Sequence, residues 1–341
     1  MRAVVFDQVG SPLEVSSLPD PVAAERQVVV KVSRCGICGS DLHMAEGHGY
    51  VPPSGTVFGH EISGEVVELG KGVEGLRKGD RIAVMPIFGC GTCSACQHGS
   101  PALCSNMQFT SGGYGEYVAI DPSSAVILPQ VIAMEDAALA EPLAVSLHGV
   151  AAARIAPGDV VVVVGAGPIG LAALFWALRM GAARVYVIDR VAERKAIALE
   201  MGATAAFDPQ PPAAAEGFAR FYGEIPVPEQ ADVVFECVGR PGLLMQAAAY
   251  LRHGGKLVSL GYCFADDTVV PGGLGMKEVQ LFFPQLYTRR EFELSVNALD
   301  AGKVDPRLMI TSVVGLDAVP AVFEGLRTSP KECKVMIAPG A

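Results

Sequence analysis

Four cysteines lie close together in the first third of the chain, with the spacing C-x2-C-x2-C-x7-C: Cys90, Cys93, Cys96 and Cys104. Four thiolates are able to close a tetrahedron around one zinc ion, and such a site has no open position for a substrate. The spacing therefore predicts a structural zinc site. A redox pair would not need four sulfurs. A nucleic-acid-binding zinc ribbon is the alternative from another functional class, but no cluster of Lys and Arg surrounds this loop.

A glycine-rich turn in the middle of the chain is the second chemical signal. An apolar run of valines leads into Gly165-x-Gly167-x-x-Gly170 and a helical stretch, and Asp189 ends the next apolar run. In dinucleotide sites the first glycine makes the tight turn, the second lets the backbone approach the pyrophosphate, and the third allows close helix packing. Amides at the helix N-terminus then face the phosphates. The motif predicts a dinucleotide site.

The acid after the second strand favours NAD as the dinucleotide. Asp189 is expected to accept hydrogen bonds from the adenosine ribose and to repel a 2′-phosphate. NADP remains an alternative, because Arg190 or Arg194 is able to hold a phosphate. Turns after two later strands are also expected at the cofactor, with ordinary turn chemistry as the alternative. The predicted cofactor contacts are Gly165, Gly167, Pro168, Ile169, Gly170, Asp189, Arg190, Arg194, Val238 and Leu260.

Three further motifs carry side chains that bind metals. Cys38 lies in CGICGSDLH, His60 and Glu61 lie in FGHE, and Glu141 lies in LAEPLAVSLHG. Each motif alone is weak evidence, since a lone histidine beside glycine is more often structural. Together, sulfur, nitrogen and oxygen donors suit an open, catalytic zinc site better than a closed structural one.

With these motifs in this order, the sequence resembles the zinc-containing medium-chain alcohol dehydrogenases, particularly the sorbitol, threonine and butanediol dehydrogenase branch. The resemblance covers essentially the whole chain. It implies that Cys38 and His60 hold a catalytic zinc, with Glu61 and Glu141 as carboxylates that bind directly or through water. The zinc would lower the pKa of a bound alcohol, so that hydride leaves to the nicotinamide ring. The remaining protein ligand stays open between the two glutamates.

The same resemblance implies a route for the released proton. Ser40 would pass the proton through the nicotinamide ribose to His43, whose pKa suits exchange near neutral pH. Asp41 is interpreted as a partner of the far nitrogen of His60, with a helix-capping carboxylate as the alternative. Cys35 is assigned a structural place only.

The elements that must position these residues change in character along the chain. Residues 1 to about 120 contain short β-branched runs between glycines and prolines, which predicts an antiparallel β domain. From about residue 134, helical stretches alternate with wholly apolar strands, as in a buried parallel sheet. The predicted strands are Ala3 to Phe6, Gln27 to Val32, Gly64 to Leu69, Arg81 to Pro86, Glu116 to Ile120, Val160 to Val164, Arg184 to Ile188, Asp232 to Glu236, Lys256 to Leu260 and Lys334 to Ile337.

We therefore expect an α/β protein of two domains, since one core rarely supports 341 residues. Residues 1–146 would form a GroES-like antiparallel β catalytic domain that binds zinc, and residues 147–287 a doubly wound parallel Rossmann sheet that binds NAD. Residues 288–341, with a helix near 290–301, would return to the first domain. A surface loop is expected at 209–216.

Composition and net charge indicate which kinds of binding partner the protein is unlikely to have. The net charge of −10 argues against nucleic acid and anionic membranes, and no run reaches the roughly 20 apolar residues that span a bilayer. The N-terminus lacks the features of a secretory signal, which predicts a cytoplasmic protein. In such a reducing compartment the nine cysteines are poor candidates for disulfides. A cytoplasmic enzyme with a small-molecule alcohol or ketone substrate is expected.

The substrate and the assembly are predicted from fewer residues. Gly39 stands where many primary-alcohol members carry a basic residue, which favours a secondary alcohol or polyol. Phe88, Phe109 and Leu286 are candidates for an apolar substrate pocket, which would favour a hydrophobic or cyclic secondary alcohol over a sugar alcohol. Residues 278–287 combine strand propensity with aromatics that look exposed, which suggests pairing across a subunit boundary in a homodimer or homotetramer.

Three alternative functions stay open. They are a threonine-type or other hydroxy-compound dehydrogenase of the same fold, a zinc-free quinone or enoyl reductase, and a zinc-binding scaffold without catalysis. A reductase of that kind would lack both the four-cysteine lobe and the Cys38 and His60 pair.

Overall fold

The computed structural model describes residues 1–209, 227–300, 304–328 and 331–340. These residues form two compact units. The first comprises Met1–Ala144, Tyr287–Gly302 and Ile310–Ala341, and the second comprises Val145–Leu286 and Lys303–Met309. Within the described ranges, no helix is long and apolar enough to cross a membrane. Most of the loop predicted at 209–216, and Ala301 at the end of a predicted helix, lie outside the described residues.

Along the described ranges, strands predominate up to residue 139, and helices and strands mostly alternate after it. Up to residue 153 the elements are β1 (Arg2–Phe6), β2 (Glu14–Ser17), β3 (Val28–Gly36), α1 (Gly39–Ala45), β4 (Thr56–Val57), β5 (Glu61–Leu69), β6 (Arg81–Val84), β7 (Ile87–Phe88), α2 (Ser94–Gln97), β8 (Gln108–Phe109), β9 (Tyr117–Ile120), β10 (Ala125–Ile127) and α3 (Ala140–Ala153). They continue with β11 (Val160–Val164), α4 (Pro168–Arg179), β12 (Arg184–Ile188), α5 (Ala192–Glu200), β13 (Ala205–Phe207), β14 (Ala231–Glu236), α6 (Leu243–Ala249), β15 (Leu251–Ser259), α7 (Pro271–Met276), β16 (Gln280–Phe282), α8 (Arg289–Ala298), β17 (Ile310–Val314), α9 (Val319–Thr328) and β18 (Lys334–Ile337).

The main sheet of the first unit is antiparallel apart from its last pair. Its strands run in the order β10-β6-β5-β3-β18-β17, with β9 also paired to β3. Strand β3 lies at the centre, because its alternate valines are buried among the apolar side chains of β5, β6 and β18. The register places Gly36 of β3 between Glu61 of β5 and Met336 of β18. At the end of β3, residues of β3, β5 and β18 therefore lie next to one another.

The second unit is a parallel sheet with strand order β13-β12-β11-β14-β15-β16. Strand β11 consists of five valines, all buried, as expected for a strand covered on both faces. Chain order reverses between β11 and β14, and ligands of open α/β sheets lie beyond the carboxyl ends of strands at such a point. The predicted fold class, an antiparallel catalytic unit and a parallel sheet, is confirmed.

Several predicted boundaries differ from the structure. Strand β3 continues from Val32 to Gly36, and β5 begins at Glu61 instead of Gly64. Helix α4 begins at Pro168, inside the glycine motif, because proline is preorganised for the first helical position, where its missing N–H has no partner to lose. The first two differences affect the candidate site, because they place Glu61 and Gly36 inside paired strands.

Candidate active site

Helix α1 begins directly after Cys38 and is capped by a residue of its own first turn. Cys38 has extended backbone, and its N–H donates to the Asp41 Oδ2 at 3.0 Å. The hydroxyl of Tyr114 donates to the same oxygen at 2.8 Å. Because one orphan amide of the helix start is satisfied by the carboxylate, the position of Cys38 is fixed relative to Asp41.

The other oxygen of Asp41 faces His60. The distance from His60 Nδ1 to Asp41 Oδ1 is 3.5 Å, and both side chains are buried. Apart from each other, neither of these two atoms has a partner among the described residues. His60 thus turns Nδ1 toward a carboxylate, and its Nε2 is the nitrogen available to a metal, the arrangement that protein metal sites commonly use. Asp41 both caps α1 and orients His60, so the two interpretations of this residue hold together.

Cys38, His60 and Glu61 form a cluster of donors. One ligand atom of each lies within 4.8 Å of the others. In a tetrahedral zinc site, ligand atoms lie about 3.4–3.8 Å apart, given zinc–ligand distances of about 2.0–2.3 Å. A separation within 4.8 Å is compatible with that spacing. The mixed sulfur, nitrogen and oxygen set and the oriented imidazole fit a zinc ion.

Opposite charges in this cluster stabilise each other. Burial by itself lowers the pKa of His60, but the negative charges of Asp41 and Cys38 outweigh burial and raise that pKa well above its usual value. Burial raises the pKa of Asp41, yet its pairing with His60 and its hydrogen bonds from Tyr114 and Cys38 leave that pKa lowered. Asp41 is therefore an anion, and it favours positive charge on or beside the imidazole.

Glu61 has a buried cationic partner that sequence analysis missed. Lys334 Nζ donates to Glu61 Oε1 at 2.6 Å, to Glu61 Oε2 at 2.8 Å and to the carbonyl of Ile37 at 3.0 Å. Burial lowers the pKa of Lys334, but the carboxylate of Glu61 outweighs burial and raises it. Lys334 is therefore an ammonium at neutral pH. An isolated lysine in the buried strand KVMI was the available signal.

Glu141 lies in the first turn of α3 with a partner of its own. Its Oε1 accepts a hydrogen bond from the Tyr287 hydroxyl at 2.9 Å, and both residues are buried. Burial raises the pKa of Glu141 to about 7, and the neighbouring charge of Glu61 contributes in the same direction. The described donor cluster contains Glu61 and not Glu141. The expectation of exposed aromatics at 278–287 is wrong for Tyr287, which is 2% exposed, whereas Phe283 is 67% exposed.

The four-cysteine lobe brings its sulfurs together as predicted from their spacing. The sulfur atoms of all four cysteines lie within 4.8 Å of one another, and none of the four forms a disulfide. The four are Cys90, Cys93, Cys96 and Cys104. Backbone amides of Cys90 and Asn106 donate to the Cys104 sulfur at 3.5 and 3.3 Å. Hydrogen bonds from Thr92 lower the pKa of Cys90 to about 6. Such donors stabilise thiolates, the form that binds zinc.

The dinucleotide motif forms a tight turn between β11 and α4. Gly165 has a left-handed φ of 98°, and a Cβ on Gly170 would lie 1.7 Å from the Gly165 carbonyl oxygen. Pro168 and Ile169 lie in the first turn of α4. The third glycine is thus required for α4 to approach the turn.

Asp189 and Arg194 lie at this turn. The Asp189 carboxylate accepts from the amides of Ala166 at 2.6 Å and Val191 at 2.7 Å, so it also holds the turn together. The Arg194 guanidinium lies 3.8 Å from the position that a Cβ on Gly167 would take.

The remaining predicted cofactor contacts have different exposures. Arg190 is exposed at the end of β12, and Val238 is 39% exposed after β14. Leu260 is buried, and its side chain lies against Gly149.

The predicted relay residues and pocket residues are also placed. Ser40 and His43 are exposed on α1. The ring of Phe109 lies 5.3 Å from that of His60 and is half exposed, so it forms an apolar wall beside the donor cluster. Phe88 pairs with Gln108 in a two-stranded sheet, and Leu286 belongs to the second unit. Of the three aromatic and apolar candidates, Phe109 is the one that the structure places at the donors.

Comparisons with known proteins agree with the fold. Residues 24–130 match the alcohol dehydrogenase GroES-like domain family, and residues 168–301 match the zinc-binding dehydrogenase family. Sorbitol dehydrogenase of Bacillus subtilis (strain 168) is 31% identical over 99% of this chain and 97% of its own length. D-xylulose reductase A of Aspergillus niger is 34% identical over 91% of this chain and 89% of its own.

Solved structures show the same architecture. A zinc-binding dehydrogenase from Sinorhizobium meliloti 1021, bound to NADP, has a TM-score of 0.86, 30% identity and 99% coverage of both chains. An alcohol dehydrogenase from Escherichia coli CFT073, complexed with NADH, has a TM-score of 0.85, 27% identity and 99% coverage of both. This chain belongs to the zinc-containing medium-chain family of alcohol and polyol dehydrogenases, which confirms the resemblance. It is accordingly a zinc-dependent oxidoreductase.

Proposed function

We propose that this enzyme oxidises a secondary alcohol or polyol to the ketone with NAD as hydride acceptor. The observation that carries the proposal is the cluster of Cys38, His60 and Glu61 within 4.8 Å, with Asp41 behind His60. The relatives named sorbitol dehydrogenase and D-xylulose reductase support a polyol or its ketose as substrate. NAD is favoured over NADP because Asp189 directly follows β12 beside the glycine turn. The solved relatives include one with NADP and one with NADH.

In this proposal, different residues of the first unit bind the metal, orient the imidazole and transfer the proton. Cys38, His60 and one of the two glutamates would hold zinc, which when bound acts as a Lewis acid on the substrate oxygen. Asp41 holds the imidazole and keeps its Nε2 available. Ser40 and His43, exposed on α1, would carry the released proton to water. Phe109 lies against His60 and gives the donor cluster one apolar side.

A second zinc in the four-cysteine lobe would stabilise its loop without taking part in the reaction. The net charge of −10 argues against nucleic acid or an anionic membrane as a partner. We propose a cytoplasmic location, supported by nine cysteines that are all free thiols. We also propose a homodimer or homotetramer.

Metal content and turnover test the proposal together. The purified chain should contain about two zinc ions, and it should reduce NAD faster than NADP with members of a panel of secondary alcohols and polyols. Cys38→Ala should lose about one zinc and all turnover while keeping its fold. Preference for L-threonine within the panel would support the hydroxy-compound alternative. No turnover with any compound would favour a scaffold, and less than one zinc per chain would contradict the zinc assignment.

A further inference from the structure

A buried carboxylate at the end of β14 caps the turn that follows this strand. Glu236 is the last residue of β14 and is 3% exposed. Its Oε1 accepts hydrogen bonds from the amides of Val238 at 2.8 Å and Gly239 at 2.9 Å, and its Oε2 lies 3.5 Å from the Ser259 hydroxyl of β15. Because one oxygen binds two successive amides, the side chain fixes the conformation of the turn at residues 237–239.

This turn packs against its neighbours at positions that carry no side chain. A Cβ on Gly165 would lie 2.6 Å from Val238 Cγ2, so Val238 fills the space beside the first glycine of the dinucleotide motif. A Cβ on Gly239 would lie 1.8 Å from the Gly261 carbonyl oxygen, and a Cβ on Gly261 would lie 2.1 Å from the Gly239 nitrogen. The turns after β11, β14 and β15 are therefore held against one another through three glycines.

The glycine turn after β11 is held from its other side by Asp189. That carboxylate follows β12 and accepts from the amide of Ala166 at 2.6 Å. Strands β12 and β14 flank β11 in the sheet, so one carboxylate acts from each neighbouring strand. Asp189 is half-buried, whereas Glu236 is buried. Glu236 therefore has almost no surface to offer a ligand and acts through Val238, which is 39% exposed.

The packing of β14 does not require an acid at this position. Val233, Val234 and Phe235 already fill the core on both faces of the strand. Among the described residues, the partners of the Glu236 carboxylate are two amides and a hydroxyl, and no cation forms an ion pair with it. Burying a carboxylate without a cation costs stability, which hydrogen bonds from amides offset in part. What the carboxylate supplies is the geometry of the turn.

We propose that Glu236 is a positioning residue for the dinucleotide. It holds Val238 against the Gly165 turn, so that the exposed part of Val238 forms an apolar wall of the cofactor site. The inference rests on the NAD site proposed above, because the turn lies at the carboxyl end of β14, beside the point where chain order reverses. It goes further in assigning the shape of that site to a side chain that does not itself contact the cofactor.

Glu236→Met is the main test, because methionine has a similar volume but is too weak an acceptor to hold the two amides. The Kd for NADH, measured by fluorescence titration of the zinc-loaded enzyme, should rise at least about tenfold. KM for NAD should rise with it, while zinc content stays at the wild-type value. The kcat at saturating NAD should not fall, since weaker binding does not slow the release of NADH. A wild-type Kd in a folded Glu236→Met enzyme would overturn the proposal.

Glu236→Gln separates the hydrogen bonds from the charge. The amide oxygen of glutamine is still able to accept from Val238 and Gly239, so the Kd for NADH should stay within about threefold of wild type. A loss as large as that of Glu236→Met would contradict positioning through hydrogen bonds. Asp232→Asn is the matched control near the start of the same strand, where Asp232 accepts from the amide of Val160 at 2.7 Å. It should leave NADH binding unchanged.

Val238→Ala tests the apolar wall with the cap left in place, and it decides the proposal if Glu236→Met does not fold. The smaller side chain should raise the Kd for NADH about three- to tenfold. Combined with Glu236→Met it should add little, because the wall is then already displaced. Leu199→Ala is the control, since Leu199 is 49% exposed near the end of α5, which leads into the amino end of β13. An unchanged Kd in Val238→Ala would contradict the wall, whereas failure of wild type to bind NADH would overturn the NAD site itself and this inference with it.

Discussion

The carboxylate of Asp41 performs two tasks with two oxygens. Oδ2 accepts from the amide of Cys38 and the hydroxyl of Tyr114, while Oδ1 faces His60. The imidazole of His60 and the start of a helix are consequently held by one side chain. Substitutions that remove charge and those that remove hydrogen-bonding capacity should therefore have different effects.

Asp41→Asn is expected to weaken metal binding at the open site by about 10- to 100-fold, because the amide keeps an acceptor for Cys38 but loses the negative charge beside His60. The dissociation constant for Co²⁺ is the measurement. Asp121→Asn is the matched control, since Asp121 also accepts from a backbone amide at a helix start in the same unit. Equal metal affinity in Asp41→Asn and wild type would show that His60 does not depend on the carboxylate.

Lys277 predicts a pH dependence of stability. Its Nζ donates to the carbonyls of Ala248, Ala249 and Leu251, and burial lowers its pKa from 10.5 to about 8. Between these two pH values the folded state binds fewer protons than the unfolded state, so its free energy of unfolding gains a contribution that rises with pH.

The thermal midpoint of wild type relative to Lys277→Met should accordingly rise from pH 8 to 10.5. Parallel midpoint curves for the two proteins over this range would contradict a lowered pKa. Well below pH 8 the two curves should run parallel, since the lysine is protonated in both the folded and the unfolded state there.

At the scale of elements, local motifs could be predicted from the sequence, whereas contacts between residues far apart in the chain could not. The four-cysteine spacing and the glycine motif are local, so their geometry could be predicted from neighbouring residues. The lone lysine in the apolar strand KVMI marks Lys334 as unusual, but the partners of Tyr114, Tyr287 and Lys334 could not be predicted. Tyr287 meets Glu141 and Lys334 meets Glu61 across long stretches of chain, through strand order and helix placement that no local pattern encodes.

The turn between β11 and α4 offers a paired test of two glycines. Gly170→Ala should destabilise the second unit by about 1–3 kcal/mol, because its Cβ would overlap the Gly165 carbonyl. Gly167→Ala meets only Arg194 at 3.8 Å among the described residues and should leave stability nearly unchanged, while weakening NAD binding about tenfold by blocking the approach of the pyrophosphate. Thermal midpoints and NAD titrations measure the two effects. A stable Gly170→Ala enzyme would contradict the close helix packing.

At the scale of the whole molecule, β16 pairs only with β15 among the described strands and forms an edge of the parallel sheet. Exposed edges with apolar side chains are common sites of association. If copies of the chain associate there, Phe283→Lys should shift the protein toward monomer in sedimentation experiments. Phe264→Lys is the control, because Phe264 is 66% exposed in the same unit. Equal shifts in both variants would place the association elsewhere.

The ion pair of Glu61 and Lys334 also has a consequence for biosynthesis. Glu61 is made early, the whole second unit follows it, and Lys334 comes on the last described strand. Because domains tend to fold as units while the chain emerges from the ribosome, the parallel sheet has all its strands available first. Until β18 is synthesised, Glu61 has no cation to pair with, and an unpaired carboxylate is costly to bury. The carboxylate therefore has to stay hydrated, and the core of the first unit closes around it only after the second unit has been translated.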